Sequence, residues 1–176
     1  MARAHDAEPS TLCAETDGPA ATQRLAAALS PCLDDGDLLV LTGDLGAGKT
    51  CFTQGLGRGL GIDDRITSPT FTLAAVYRGR LVLNHLDVYR LDDPAETLDL
   101  DLPELLEDGV TVIEWGEQVS EVLPPERCTI ELGFPPVGDP DGSDDRRTLR
   151  LELAGARWQR RRGAIETALA DWSTPC

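Results

Sequence analysis

One lysine, Lys49, stands among the 16 basic side chains of this 176-residue chain. It falls in Gly43-Asp44-Leu45-Gly46-Ala47-Gly48-Lys49-Thr50, which has the G-x-x-x-x-G-K-[ST] spacing of a phosphate-binding loop. That spacing has a chemical purpose. A glycine-rich turn can aim several backbone N–H groups at β-phosphate oxygens, a compact ammonium reaches the β and γ oxygens, and the Thr50 hydroxyl suits Mg²⁺. Arginine would not replace Lys49, because its planar fork does not fit between two phosphates as an ammonium does. The motif therefore predicts a nucleoside triphosphate site.

Three further groups could complete such a site. Val110-Thr111-Val112-Ile113-Glu114 is an apolar run ending in a carboxylate, which would lie at the carboxyl edge of a sheet beside the loop, next to the metal or one water away. In His85-Leu86-Asp87-Val88-Tyr89-Arg90, strand alternation puts His85, Asp87 and Tyr89 on one face. Asp87 could orient or deprotonate a nucleophile, or act as a second carboxylate near the metal. His85 reads as a hydrogen-bonded structural residue, and Tyr89 and Arg90 as structural or partner-facing. Ser68-Pro69-Thr70 follows the loop's helix, where switch-like segments of nucleoside triphosphatases sense the γ-phosphate, although an ordinary proline turn has the same composition. Trp115 is either a core ring or a surface ring that reads a partner. Asn84 is the only asparagine, so no N-K-x-D guanine motif can exist.

The elements that must position these groups are partly readable. Residues 1–9 form a polar tail, and 10–176 one domain. Leu25, Ala28 and Leu29 recur at helical spacing. Asp37–Leu41 is apolar enough for a buried parallel strand feeding the loop, and Thr50–Leu60 supplies the helix whose N-terminus completes an anion site. Phe71–Val76 and Leu81–Val88 predict a hairpin, and Pro94–Glu107 one or two short helices. Cys128–Phe134 and Thr148–Leu153 predict a second antiparallel pair around the Pro135–Asp145 loop. Trp158, Ile165, Leu169 and Trp172 mark a last amphipathic helix. The sum is an α/β fold, a single P-loop NTPase-type domain with a central mixed sheet flanked by helices.

Bulk properties narrow the function. A net charge of −15 repels phosphate backbones, so nucleic-acid contact should be indirect or limited. Five cysteines without C-x-x-C spacing read as reduced thiols, and no run approaches a membrane span; together they predict a cytoplasmic protein. Arg157, Arg160, Arg161 and Arg162 form a basic cluster that is either a solvated helix face or a contact with RNA or an acidic partner.

In order and spacing, G-D-L-G-A-G-K-T, S-P-T-F, H-x-D-x-Y-R and I-E-W resemble the TsaE (YjeE) family of bacterial ATPases of tRNA threonylcarbamoyladenosine synthesis. The resemblance covers roughly Leu38 to Glu117. It implies ATP and Mg²⁺ as cofactors, and slow hydrolysis expressed through a complex with subunits of the TsaD and TsaB type that modifies adenosine 37 of tRNA. It assigns Gly43 to Thr50 to the nucleotide, Thr50 and Glu114 to the metal, and Asp87 with Lys49 to catalysis. Ser68 and Thr70 fall in the switch-like loop, and Thr16 on the adenine side. Cys51 and Gly116 depart from the common pattern. A P-loop small-molecule kinase and a nucleotide-dependent binding module are the rival readings.

Overall fold

A computed structural model describes residues 8–90, 107–135 and 145–176. Eight strands form one mixed sheet: β1 (Ser10–Thr16), β2 (Asp37–Thr42), β3 (Ala74–Arg78), β4 (Val82–Asp87), β5 (Val110–Glu114), β6 (Arg127–Gly133), β7 (Arg147–Ala154) and β8 (Ser173–Thr174). Among the described residues the α-helices are α1 (Pro19–Leu29), α2 (Lys49–Gly59) and α3 (Ala156–Ala168). The spatial order is β3-β4-β5-β2-β6-β7-β1-β8. The middle four strands, β4-β5-β2-β6, are parallel, and the pairs outside them are antiparallel. The α/β architecture with a central mixed sheet is thus the one the sequence predicts.

Alternation along the parallel strands sorts the core into two layers. Leu39, Leu41, Leu83, Val110, Val112, Cys128, Ile130 and Leu132 face α1, α2 and α3 and pack with Leu25, Leu29, Phe52, Leu56, Trp158 and Ile165. Leu38, Val40, Leu86, Val88 and Ile113 face the other way, against Val119 and Leu123. β2 lies between two parallel neighbours with both faces covered, which is why it reads as an unbroken apolar run. Helices α1 and α2 touch at the backbone: a Cβ on Gly55 would overlap the Gln23 carbonyl, so only glycine allows this approach.

Several expectations are corrected. The five cysteines are not all thiols, since Cys13 and Cys176 form a disulfide. The topology explains it: β8 pairs antiparallel with β1, setting Cys13 opposite Thr174 and bringing the two Cα atoms to 5.2 Å. Thiol counting no longer argues for a compartment. Arg161 is not a solvated helix residue; it grips buried Asp37 with two hydrogen bonds, of 2.5 and 2.7 Å, and also donates to the Cys32 carbonyl. Arg162 pairs with Glu166 one turn on. The first hairpin strand begins at Ala74, because residues 70–73 turn back onto Pro69, whose carbonyl accepts from the N–H groups of Thr72 and Leu73. Trp172 lies in a short 3₁₀ turn after α3. The helices expected at Pro94–Glu107 and most of the Pro135–Asp145 loop lie outside the described residues. Among the described residues no helix is long and apolar enough to cross a membrane.

Candidate functional site

The parallel strands end at one edge of the sheet, and β2 runs from there into the loop of residues 43–48, which opens α2 at Gly48. Glycines 43, 46 and 48 all have positive φ, which is open to glycine and costly for other residues. At Gly43 the requirement is double, because a Cβ there would also overlap the Leu132 carbonyl of β6. The loop is thereby pressed against the sheet edge at the start of α2, and the first turn of a helix has N–H groups without intrahelical partners.

Lys49 is buried, and its ammonium donates to the carbonyls of Gly43 (2.5 Å) and Asp44 (3.0 Å). It also lies 3.4 Å from the centre of the Trp115 ring, a cation–π contact. Burial pushes the Lys49 amine below its ordinary value, opposed by the negative fields of Glu117, Glu114, Asp87 and Asp44. Thr50 donates its hydroxyl to Glu114 Oε2 at 2.9 Å. The other Glu114 oxygen, Oε1, lies 2.7 Å from His85 Nε2.

Asp87 and Glu114 are neighbours in register across β4 and β5. That register places both carboxylates at the carboxyl edge on the face toward α2. Asp87 Oδ2 accepts from Ser68 Oγ (2.5 Å) and Thr70 Oγ1 (2.6 Å), and Asp87 Oδ1 accepts from the Tyr89 N–H (3.0 Å). The proline turn is thus tied to the end of β4 by its two hydroxyls. Tyr89 stacks at a tilt on Trp115, with 4.7 Å between ring centres. Leu73 and Trp115 are the only non-glycine residues with positive φ among the described residues, and both border this site. Strained backbone of that kind is retained where surrounding structure imposes it, commonly at functional sites.

Leu45, Gly46, Gly48, Lys49, Thr50, Ser68, Thr70, Asp87 and Glu114 line one cavity of about 420 Å³, together with Cys51, Tyr89 and Trp115. Gly43 and Asp44 take part through the carbonyls that hold Lys49, while Ala47 is packed in the core beneath the loop. Thr16 stands apart from the cavity, buried with its hydroxyl bonded to Thr22 at 2.8 Å. Trp115 and Tyr89, whose roles stay open in the sequence, both line the cavity; adjacency to Glu114 and alternation from Asp87 are the signals that point to them. Arg147 of β7, which donates to the Gly46 carbonyl at 3.4 Å and lies over the Phe134 ring, carried no local signal at all. Gly116, the departure beside Trp115, is buried where a Cβ would overlap the Val40 side chain.

The donor chemistry fits a hydrated hard cation with phosphate. Thr50 and Glu114 offer two oxygens side by side. Among the described residues no cluster of three or more His, Cys, Asp or Glu could hold a metal unaided, so magnesium here would also need phosphate and water oxygens, its usual arrangement.

Comparison with known proteins agrees with this geometry. Residues 16–135 match the family model described as threonylcarbamoyl adenosine biosynthesis protein TsaE, a span containing every residue that lines the cavity. The tRNA threonylcarbamoyladenosine biosynthesis protein TsaE of Treponema pallidum is 51% identical over 112 residues, covering 63% of this chain and 83% of that one. The Bacillus subtilis protein of the same name is 39% identical over 145 residues, 82% of this chain and 87% of its own length. A crystal structure of Bacillus subtilis YdiB superposes with a TM-score of 0.77 at 32% identity, covering 92% of this chain and 98% of the other. On sequence, fold and site together, the chain belongs to the TsaE family of threonylcarbamoyl adenosine biosynthesis proteins.

Proposed function

We propose that this protein is a Mg²⁺-dependent ATPase that supports transfer of threonylcarbamoyl to adenosine 37 of tRNA, acting as one subunit of a complex with proteins of the TsaD and TsaB type. The observation that carries the reading is the convergence of Lys49, Thr50, Asp87 and Glu114 on one cavity at the mouth of a glycine-rich loop. The loop amides, Gly43 to Gly48, would bind the α- and β-phosphates. Lys49 would leave the carbonyls of Gly43 and Asp44 and take up phosphate oxygens, exchanging neutral acceptors for charged ones. Thr50 and Glu114 would hold magnesium, which when bound neutralises charge developing on the transferring phosphoryl group. Asp87, at the same edge, would orient the attacking water, and Ser68 and Thr70 hold its Oδ2 until a γ-phosphate or water competes for those hydroxyls.

Thr16 enters as an adenine-side residue through the backbone of the β1–α1 turn rather than through its occupied hydroxyl. The net charge of −15 favours docking to proteins over direct tRNA contact. Because tRNA is the ultimate substrate, we place the protein in the cytoplasm. The test is genetic: in cells depleted of their own TsaE, the wild-type chain should restore threonylcarbamoyladenosine in tRNA hydrolysates, and Glu114→Ala should not. Full restoration by Glu114→Ala would favour a binding role in which hydrolysis is incidental.

A further inference from the structure

The chain has two histidines, and His85 is the one buried in the sheet, fully shielded from solvent. Its Nε2 meets Glu114 Oε1 at 2.7 Å, while Thr50 takes Glu114 Oε2 at 2.9 Å. Its other nitrogen, Nδ1, is buried without a hydrogen-bond partner. Of the two tautomers that a neutral ring could take, these contacts favour one. A proton on Nδ1 would be a buried donor with no acceptor, and the Nε2 lone pair would then face a carboxylate oxygen. A proton on Nε2 donates to Oε1 and leaves only an acceptor unpaired, the less costly orphan.

Resting on the reading of Glu114 as the acid beside the metal, we propose that His85 is a positioning residue that keeps Glu114 Oε2 turned toward Thr50, so that the magnesium site is organised before the ion arrives. The last torsion of a glutamate side chain is broad and roughly two-fold, so a carboxylate held at one oxygen only is free to swing. Here both oxygens are held, one from the strand and one from the helix. The histidine reaches across from β4, where it is in register with Val112, two residues before Glu114 on β5. Cavity and core therefore meet at this pair: Glu114 lines the cavity, and the histidine that holds it is fully buried. A buried polar pair with no bearing on the site would have no reason to take up one oxygen of the very carboxylate that Thr50 shares.

The experiment measures Mn²⁺ binding to the full chain by electron paramagnetic resonance, with a non-hydrolysable ATP analogue present, for wild type, His85→Gln, His85→Asn and His85→Leu. Glutamine places an N–H near the reach of Nε2; asparagine is too short and leucine has no donor. Removing such an outer partner typically costs 10–100-fold in metal affinity, so His85→Leu and His85→Asn should weaken Mn²⁺ by roughly that factor while His85→Gln stays within about threefold of wild type. Analogue binding without metal should be unchanged in all four. His85→Leu that melts like wild type and binds Mn²⁺ as tightly overturns the inference, as does an equal loss in His85→Gln. Wild type that binds the analogue with no dependence on Mn²⁺ would instead sink the reading of Glu114 itself. Should the variants not fold, nitrogen-15 spectra of the wild-type histidines decide: a proton on Nε2 of the buried ring supports the inference, and an Nε2 without a proton ends it.

Discussion

At the scale of single residues, the site is held by contacts that a nucleotide would rearrange. Lys49 is satisfied by two backbone carbonyls and an aromatic face, all of them neutral partners. Lys49→Ala should weaken ATP binding at least about tenfold, ~1.4 kcal/mol, in a calorimetric titration; an unchanged titration would contradict the loop's role. The same lysine has a pH signature. Burial lowers its folded-state value, so the fold disfavours the charged amine. The unfolded chain therefore holds that proton up to the ordinary lysine value of 10.5, and stability rises with pH between the lowered folded value and 10.5. Lys49→Met should flatten this rise in urea melts of the nucleotide-free protein taken across that window. Asp87→Ala should leave ATP binding intact and cut turnover, because its partners are the Ser68 and Thr70 hydroxyls rather than the loop. Equal loss of binding and turnover would give Asp87 a structural role instead.

At the scale of elements, two devices place the loop. One is the close contact of α1 with α2 at Gly55, and the other is the anchor of α3 to the opposite end of β2 through Arg161 and Asp37. Gly55→Val should part the helices and cost about 1–3 kcal/mol, as overpacking does, read by thermal melting. Arg161→Leu removes the two-bond partner of buried Asp37 and leaves it the longer Arg157 contact, at 3.6 Å, and the Asp34 N–H. It should cost up to about 3–5 kcal/mol in denaturant melts while the ATP affinity of the folded fraction is kept. What was legible in the sequence follows the same division. The loop, the apolar β2 and the polar face of β4 that carries His85 and Asp87 depend on residues close in sequence or on strand period, and these are readable; the register that sets Asp87 beside Glu114 is not. The Arg161–Asp37 pair, the Arg147 contact with Gly46 and the Cys13–Cys176 disulfide join residues more than a hundred positions apart. They follow from strand order, which no local pattern encodes. Leu73 and Trp115 at positive φ were unreadable for a related reason, since tertiary packing imposes a backbone that their side chains do not favour.

At the scale of the whole molecule, the chemistry is gathered at one end of the sheet and the charge is spread over a chain that carries −15. Leu45 stands exposed on the loop and lines the cavity together with Ser68 and Thr70 of the proline turn, so the nucleotide site and that turn share one open surface. The proposed function places partner proteins at that surface, where they would speed an otherwise slow hydrolysis. The most direct measurement is therefore ATP hydrolysis by the purified chain, alone and with TsaD-type and TsaB-type proteins and tRNA added separately and together. Slow Mg²⁺-dependent hydrolysis alone, acceleration by the partner proteins, no phosphorylated metabolite and loss of all activity in Lys49→Ala are expected. A rate indifferent to the partners, or one that survives in Lys49→Ala, would rule out the proposed function.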